Sequence, residues 1–269
     1  MLAEISLQII VIYALAGLFA GLIGGMVGLS GGVIIVPVLH YFFIEQGFPL
    51  TILMQLAVTT SLATILVTSL SATYVHYKKG AVLWPTVNRL VPGLLIGACL
   101  GALLADSVSS SVLRIVFGVF EILVGIQIWL DFKPKAHAAL PDTPGLVGSG
   151  VGIGLLSTLM GIGGGTLTMP FLLWCNVNLR NAVAVSSACG FPIAVAATTA
   201  LIITGWDEQN LPAHTFGYLY WPAALIISCM TLFFAPLGAR LAHYLPIQTL
   251  KRVFAIVLVL VGIRMLMKG

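Results

Sequence analysis

Long apolar segments, separated by short polar stretches, follow one another along the whole chain. A helix needs about 20 mainly apolar residues to cross the hydrocarbon core of a bilayer, and the segments reach that length. Their apolar residues run continuously and do not alternate with polar ones, as they would in the strands of a membrane β-barrel. The pattern therefore predicts an all-α, polytopic integral membrane protein with about eight transmembrane helices. The predicted segments are 8–43, 51–76, 83–105, 112–131, 146–174, 182–205, 218–242 and 247–268.

The second half of the chain repeats the motifs of the first half in the same order. The stretch GLSGGVIIVP at 28–37 recurs as GIGGGTLTMP at 161–170, an offset of 133 residues. The stretch AVTTSLA at 57–63 matches AVSSACG at 184–190. Such ordered self-similarity predicts a duplication, because it is typical of repeated structural units. Further matches, at an offset of 137 residues, are GALLA (101–105) with GARLA (238–242) and LRIVF (113–117) with LKRVF (250–254).

The duplication divides the chain into two homologous transmembrane repeats. We predict the first repeat at 1–131 and the second at 146–269, with the linker 132–145 between them. The linker reads FKPKAHAALPDTPG, and its polar residues and prolines set it apart from the apolar segments on either side.

The first apolar segment of each half is too long for one straight span. In the first half, about 36 residues of helix would measure roughly 54 Å, whereas the hydrocarbon core is about 30 Å thick. A glycine cluster interrupts each segment, so we expect a broken helix whose second piece begins near Val33 or Thr166. Four spans per half result if that piece belongs to the first span, and five spans with inverted repeats result if it crosses the bilayer. The sequence leaves both arrangements open.

The composition excludes several classes of protein. Only 7% of the 269 residues are charged and 59% are hydrophobic, whereas soluble domains contain roughly 25% charged residues. The 12 basic residues are scattered through the loops, which is typical of bilayer flanks and not of a nucleic-acid surface. The four cysteines form no C-x-x-C pair, so we expect neither a metal site nor a cofactor. We expect a multi-pass protein of the cell (cytoplasmic) membrane.

The two glycine clusters predict an anion site. Where a new helix begins inside the membrane, unpaired N–H groups and the helix dipole favour a negative charge. Secondary transporters use discontinuous helices in this way, between two repeats. Hydroxyls of the AVTTS and AVSSA motifs could add donors, or they could hold helices together. The candidate substrate-binding residues are Gly28, Ser30, Gly31, Gly32, Thr59, Thr60, Ser61, Gly161, Gly163, Gly164, Gly165, Thr166, Ser186 and Ser187.

Glu121 lies near the centre of the fourth predicted segment. Intramembrane carboxyl groups are costly and are treated as functional by default. The matching residue of the second half, at the offset of 137, is Leu258, so any role of Glu121 belongs to one half. We interpret Glu121 as a candidate coupling residue for a proton or another ion. Pairing with a basic residue inside the bundle is the structural alternative.

The string Gly28-Leu29-Ser30-Gly31 also matches the G-x-S-G of a serine nucleophile. Ser30 aligns with Gly163, so the flanking glycines recur in the second half but the hydroxyl does not. A serine nucleophile needs a base, and His76 stands near the end of its segment, which indicates the membrane interface. We therefore expect no enzyme. An intramembrane serine protease using Ser30, or a membrane thiol-redox component using the cysteines, is the alternative.

The duplicated G-x-x-G-G-x-x-x-x-P turns and the AVTTS and AVSSA motifs resemble the sulfite exporter TauE/SafE family, also called the 4-toluene sulfonate uptake permease family. The resemblance covers about residues 9–268. It implies an integral membrane protein that arose by duplication. It also implies movement of sulfite, sulfonates, sulfoacetate and related sulfur-containing organic anions across the cytoplasmic membrane.

The predicted function is secondary transport of a small anion, by alternating access around a central site between the two repeats. The expected partners are the small anionic substrate, the lipid bilayer and a coupling proton or ion, without nucleic acid. The sequence leaves open whether the protein forms a homo-oligomer.

Overall fold

The computed structural model describes residues 7–27, 31–130, 139–241 and 247–267. Within those ranges the chain forms ten helices and one short hairpin, so the predicted all-α membrane fold is confirmed. The helices are α1 (Leu7–Val27), α2 (Gly32–Glu45), α3 (Leu53–Lys78), α4 (Trp84–Ser107), α5 (Ser110–Trp129), α6 (Thr143–Leu159), α7 (Gly165–Trp174), α8 (Leu179–Thr204), α9 (Trp221–Leu241) and α10 (Ile247–Met267), and the strands are β1 (Thr215–Phe216) and β2 (Leu219–Tyr220).

The first long segment of each half is interrupted at its glycine cluster. Helix α1 ends at Val27 and α2 begins at Gly32, while α6 ends at Leu159 and α7 begins at Gly165. The new helices therefore start within one residue of the positions that the sequence predicts. The described helices number five before the linker, α1 to α5, and five after it, α6 to α10; the division into two homologous repeats stays a prediction.

A glycine in the left-handed conformation ends α6. Gly161 has φ +61°, its N–H donates to the carbonyl of Thr158 at 3.1 Å, and the N–H of Ile162 donates to that of Ser157 at 3.0 Å. These two bonds form a Schellman motif, which closes a helix and favours glycine at the left-handed position. The chain thus leaves the helix with two of its last carbonyl groups satisfied.

Two helices of the second half begin three residues before their predicted segments, and capping side chains explain both. The carboxylate of Asp142 accepts from the Gly145 N–H at 3.1 Å, and the Asn178 side chain accepts from the Asn181 N–H at 2.9 Å. Such N-caps satisfy a donor that the first turn leaves unpaired. The apolar pattern could not reveal these polar first turns.

Six helices of the described ranges are long and apolar enough to span a bilayer, namely α1, α3, α4, α5, α8 and α9. Helices α2 and α6 are apolar but shorter. The total of eight spans therefore stays a prediction. Helix α3 is the most enclosed candidate span, since 78% of its most apolar stretch is buried, against 28% to 44% for the others.

The two halves exchange their first helices: α1 packs along α9, and α6 packs along α4. A Cβ atom built on Gly101 of α4 would lie 2.7 Å from the Leu155 carbonyl oxygen of α6, and one built on Gly238 of α9 would overlap the Leu22 carbonyl of α1. Gly101 corresponds to Gly238, and Leu22 to Leu155, at the repeat offsets of 137 and 133. The contacts are therefore reciprocal, and small residues let the helix backbones touch, as is common in membranes.

We expect Gly97→Ala to destabilise the protein, because a methyl group there would overlap the Val151 carbonyl oxygen. Overpacking of this kind costs about 1–3 kcal/mol. Gly152 of α6 is the matched control, since a Cβ there meets nothing within 4 Å, and Gly152→Ala should gain up to about 1 kcal/mol of helix propensity. Thermal unfolding in detergent measures both, and equal midpoints would contradict the packing role of Gly97.

Candidate functional site

The two interrupted helices meet at their glycine turns in the interior. A Cβ atom built on Gly32, the first residue of α2, would overlap the carbonyl oxygen of Gly161 and lie 2.9 Å from the Cα atom of Ile162. The backbones of the two turns are therefore in direct contact. Only glycine at position 32 permits this approach.

Helix α3 of the first half holds the turn of the second half. The Ser61 hydroxyl donates to the Gly161 carbonyl at 2.8 Å, and a Cβ on Gly161 would lie 3.0 Å from the Cα atom of Val58. The AVTTS motif of one repeat thus binds the glycine turn of the other repeat. Backbone that has left the helix needs such a partner at membrane depth.

Helix α8 packs against the second turn at its own motif. A Cβ atom built on Gly164 would lie 3.1 Å from the Ser186 carbonyl oxygen and 3.2 Å from the Gly190 nitrogen. The structure therefore brings together five of the predicted residues, drawn from both glycine clusters and both hydroxyl motifs. The members of this contact are Gly32, Ser61, Gly161, Gly164 and Ser186.

Both short helices begin without a capping side chain. The N-cap residues are Gly31 and Gly164, and neither offers a side-chain hydrogen bond to the first turn. The intrahelical bonds start at their carbonyl groups, as with the Thr168 N–H donating to Gly164 at 2.8 Å. Two helix N-termini, each with the positive end of a helix dipole, thus begin at the touching turns.

Most hydroxyls of the predicted site are engaged by their own helices. Thr59 donates to the Gln55 carbonyl at 2.7 Å, and Ser186 and Ser187 donate to the Val183 carbonyl at 3.0 and 2.8 Å. Serine and threonine in helices commonly bond back in this way. In this conformation these three hydroxyls are therefore bonded to their own helices and are not free to donate to an anion.

Thr60 has a different role. Its hydroxyl oxygen accepts from the Tyr220 N–H at 3.1 Å, so α3 also fixes the end of the hairpin that precedes α9. The proton of that hydroxyl is not used in this bond.

The remaining predicted residues lie around the same turns. Gly163 and Thr166 are buried and each has an interaction partner, while Gly31 and Gly165 are half-buried. Gly28 and Ser30 fall outside the described residues.

Sequence reasoning missed a set of buried hydroxyls beside the second turn. Their oxygen atoms have no hydrogen-bond partner, and the sequence comparison overlooked them because the first half has no hydroxyl at the matching positions, which are Gly24, Gly25 and Ile35. A search for hydroxyl residues next to the turn, without the requirement of repetition, would have found them. They are Ser157 and Thr158 just before the turn and Thr168 just after it, with Thr198 further away in sequence on α8.

Glu121 is fully buried, and neither of its carboxyl oxygens has a hydrogen-bond partner. It lines a cavity of about 340 Å³ that is otherwise mainly apolar and bounded chiefly by α2 and α10. His40 and Arg264 also line this cavity, and so does Val33, the neighbour of Gly32 in the first turn. Glu121, on α5, is therefore separate from the touching turns. Helix α2 connects the two places, because it begins at the turn contact and also lines the cavity of Glu121.

Comparison with known proteins agrees with this architecture. A model of the family described as Sulfite exporter TauE/SafE matches residues 13–265. A probable membrane transporter protein of Haemophilus influenzae is 32% identical over 260 residues, which cover 96% of this chain and 98% of that protein. The probable membrane transporter protein YunE of Bacillus subtilis is 27% identical, with 96% and 98% of the two chains covered. The probable membrane transporter protein MJ0441 of Methanocaldococcus jannaschii is 26% identical, with 94% of each chain covered.

The family and these relatives are those of a multi-pass membrane transporter and not of an enzyme, so neither the protease nor the thiol-redox interpretation of the sequence is supported. The family model matches residues 13–265, nearly the whole chain, and the chain therefore belongs to the Sulfite exporter TauE/SafE family.

Proposed function

We propose that the protein is a secondary transporter of small anions in the cytoplasmic membrane, and that its substrates are sulfite, sulfonates, sulfoacetate or related sulfur-containing anions. The observation that carries the proposal is the contact between the two glycine turns, where two uncapped helices begin inside the protein. Helix N-termini attract anions without placing a full positive charge in the membrane. The family membership favours the sulfur-containing class.

The conformation described here is closed at that point. Gly32 and the Gly161 carbonyl touch, so an anion between the turns requires them to separate. Alternating access supplies such a movement, because one repeat rocks against the other around a central site in many transporters. Ser61, which bonds the Gly161 carbonyl at 2.8 Å, would release or follow the turn as the site opens.

The unpaired hydroxyls beside the second turn supply donors for the anion. Ser157, Thr158 and Thr168 are buried without partners, and a buried hydroxyl without a hydrogen bond costs about 1–3 kcal/mol. A bound anion would recover that cost by accepting from them. Glu121 couples the cycle to a proton or another ion, because an intramembrane carboxyl group without a partner is expensive to keep unless it has a function.

We expect purified protein in liposomes preloaded with unlabelled sulfite to take up labelled sulfite, thiosulfate or a small sulfonate. Uptake should saturate with external concentration and should be stimulated by the internal anion, since a carrier exchanges substrate across one alternating site. Liposomes without protein are the control. Unsaturable flux would indicate a channel, and no uptake of any of these anions by folded protein would contradict the proposed substrate class.

Substitution of an unpaired hydroxyl should separate binding from folding. Thr168→Val should leave thermal stability unchanged or raise it, because the lost hydroxyl had no partner, but it should raise the KM for uptake. Ser61→Ala is the comparison, because it removes the bond to Gly161 and should cost about 1 kcal/mol of stability. An unchanged KM for Thr168→Val, together with unchanged KM values for Ser157→Ala and Thr158→Val, would rule out these hydroxyls as substrate ligands.

Gly161 and Gly80 provide a matched pair for testing the touching turns. Both have positive φ angles, +61° and +63°, so an alanine at either costs about 1–2 kcal/mol for the left-handed backbone. Only at Gly161 does a Cβ also meet neighbours, the nearest being Val36 at 2.8 Å. Gly161→Ala should therefore abolish uptake and lower stability more than Gly80→Ala, and equal effects in both assays would contradict the role of the turn contact.

A further inference from the structure

We propose that His40 and Glu121 form one proton-transfer pair across the cavity between α2, α5 and α10, and that this pair is the coupling site of the transporter. The inference rests on the proposed transport function and deepens it. It names the coupling ion as a proton, adds His40 as the second member, and assigns one such pair to each chain.

Two unpartnered titratable groups from different helices face the same cavity. His40 of α2 and Glu121 of α5 both line it. The His40 Nδ1 atom and both Glu121 carboxyl oxygens are buried without a hydrogen-bond partner. A polar group that folding leaves unpaired calls for an explanation, and a single proton shared between the two groups explains both.

Two basic residues are near the pair, and one of them, Arg264, lines the cavity. Arg114, on the same face of α5 as Glu121 and 9% exposed, lies within electrostatic range of His40. From α10, Arg264 lines the cavity with its guanidinium carbon 4.9 Å from the ring centre of Tyr41, a residue of α2.

Apart from His40, Glu121 and Arg264, the described residues that line the cavity carry no ionised group. Helix α1 contributes Ile23 to the lining, and the rest of the α10 lining is apolar. Helix α3 contacts α5 through the hydrogen bond from the Met54 N–H to Ser110, where its neighbour Gln55 is uncharged. In the described residues no carboxylate other than Glu121 lines this cavity.

The transfer step is balanced by the two groups alone. A proton leaves a carboxyl oxygen of Glu121 and binds the Nδ1 atom of His40, giving a carboxylate and an imidazolium. The reverse step restores both neutral groups. A cavity of about 340 Å³ has room for water. His40, Glu121 and Arg264 are polar groups on its wall that would bind such water, and in the proposed step a short chain of water joins His40 to Glu121. Exchange with bulk water then occurs on the side of His40.

Helix α2 links this pair to the touching turns. Gly32 begins α2 and contacts Gly161, and His40 follows eight residues later on the same helix, about 12 Å along its axis. A movement that separates the two turns therefore also shifts His40 relative to Glu121. Protonation of the pair and opening of the turns both change the position of helix α2. A shared element of this kind is the physical requirement for coupling two sites.

The duplication gives an internal comparison for the assignment. At the repeat offsets of 133 and 137, His40 corresponds to Leu173 and Glu121 to Leu258. Both titratable groups belong to the first half, and both are leucine in the second half. Leu258 itself lines the same cavity opposite Glu121. Loss of both groups together from one half is expected if they act as a pair, and it predicts one transported proton for each cycle.

The test compares net uptake with exchange in proteoliposomes containing labelled sulfite, or the best substrate among the tested anions. We expect an imposed pH gradient to accelerate net uptake by the wild-type protein. Glu121→Gln and His40→Gln should each lose this acceleration while they retain exchange of labelled for unlabelled substrate, because exchange moves no net proton. The matched controls are Glu45→Gln, at the exposed end of α2, and His76→Gln, near the end of α3, and both should behave as wild type.

Infrared difference spectroscopy gives a readout that does not depend on transport. A carbonyl stretch of a protonated carboxyl group should disappear in Glu121→Gln, and the pH at which it titrates should shift in His40→Gln but not in His76→Gln. Acceleration retained in Glu121→Gln or His40→Gln, or a sodium gradient acting in place of the pH gradient, would overturn the proposal. Wild-type protein that exchanges no anion would overturn the transport function instead, and the spectra would then still decide whether the two groups share a proton.

Discussion

The contact between Gly32, where α2 begins, and the glycine turn that follows α6 is the feature on which the rest of the structure depends. Lipid offers no hydrogen bonds, so every polar group of the unwound backbone must find a partner within the protein. Here the Gly161 carbonyl receives the Ser61 hydroxyl, and the neighbouring residues close α6 by a Schellman motif. The residues between α6 and α7 carry no polar side chain, since Met160 and Ile162 are apolar and the others are glycines; the partner here comes from the opposite half. The need to satisfy backbone thus joins the two halves at the centre of the molecule.

The packing of each half's first helix against the other half also depends on close backbone contact. In lipid, apolar side chains gain little by meeting each other, and close backbone contact between small residues stabilises helix pairs instead. Gly101 against Leu155 and Gly238 against Leu22 place these contacts between halves. Since α1 packs on α9 and α6 on α4, neither repeat would retain its own packing if it were separated. These glycine contacts, where even a Cβ atom would overlap a carbonyl oxygen of the neighbouring helix, therefore tie each half of the chain to the other.

The sequence predicts the long helices and the interruptions better than it predicts the site. Hydropathy and glycine clusters report directly on length and on breaks, and the new helices begin at Gly32 and Gly165 as expected within one residue. The hydrogen bonds of hydroxyls depend on geometry that spacing does not encode. Ser186 and Thr59 bond their own helices, whereas Ser61 bonds a residue 100 positions away. The repeat pattern does not predict the unpaired hydroxyls of Ser157 and Thr158, because the matching residues of the first half are glycines.

The two halves share their glycine clusters but differ in their titratable side chains, and electrostatic repulsion explains this difference. The glycine clusters and the helix N-termini after them occur in both halves, at Gly32 and at Gly165. The two side chains of the proposed pair, Glu121 and His40, occur once, and leucines take their places in the second half. A second carboxyl group at position 258 would share the same cavity with Glu121, and two like charges in one low-dielectric space repel strongly. A single titratable pair avoids this conflict, and the proposed transfer of one proton needs no second carboxyl group in the cavity.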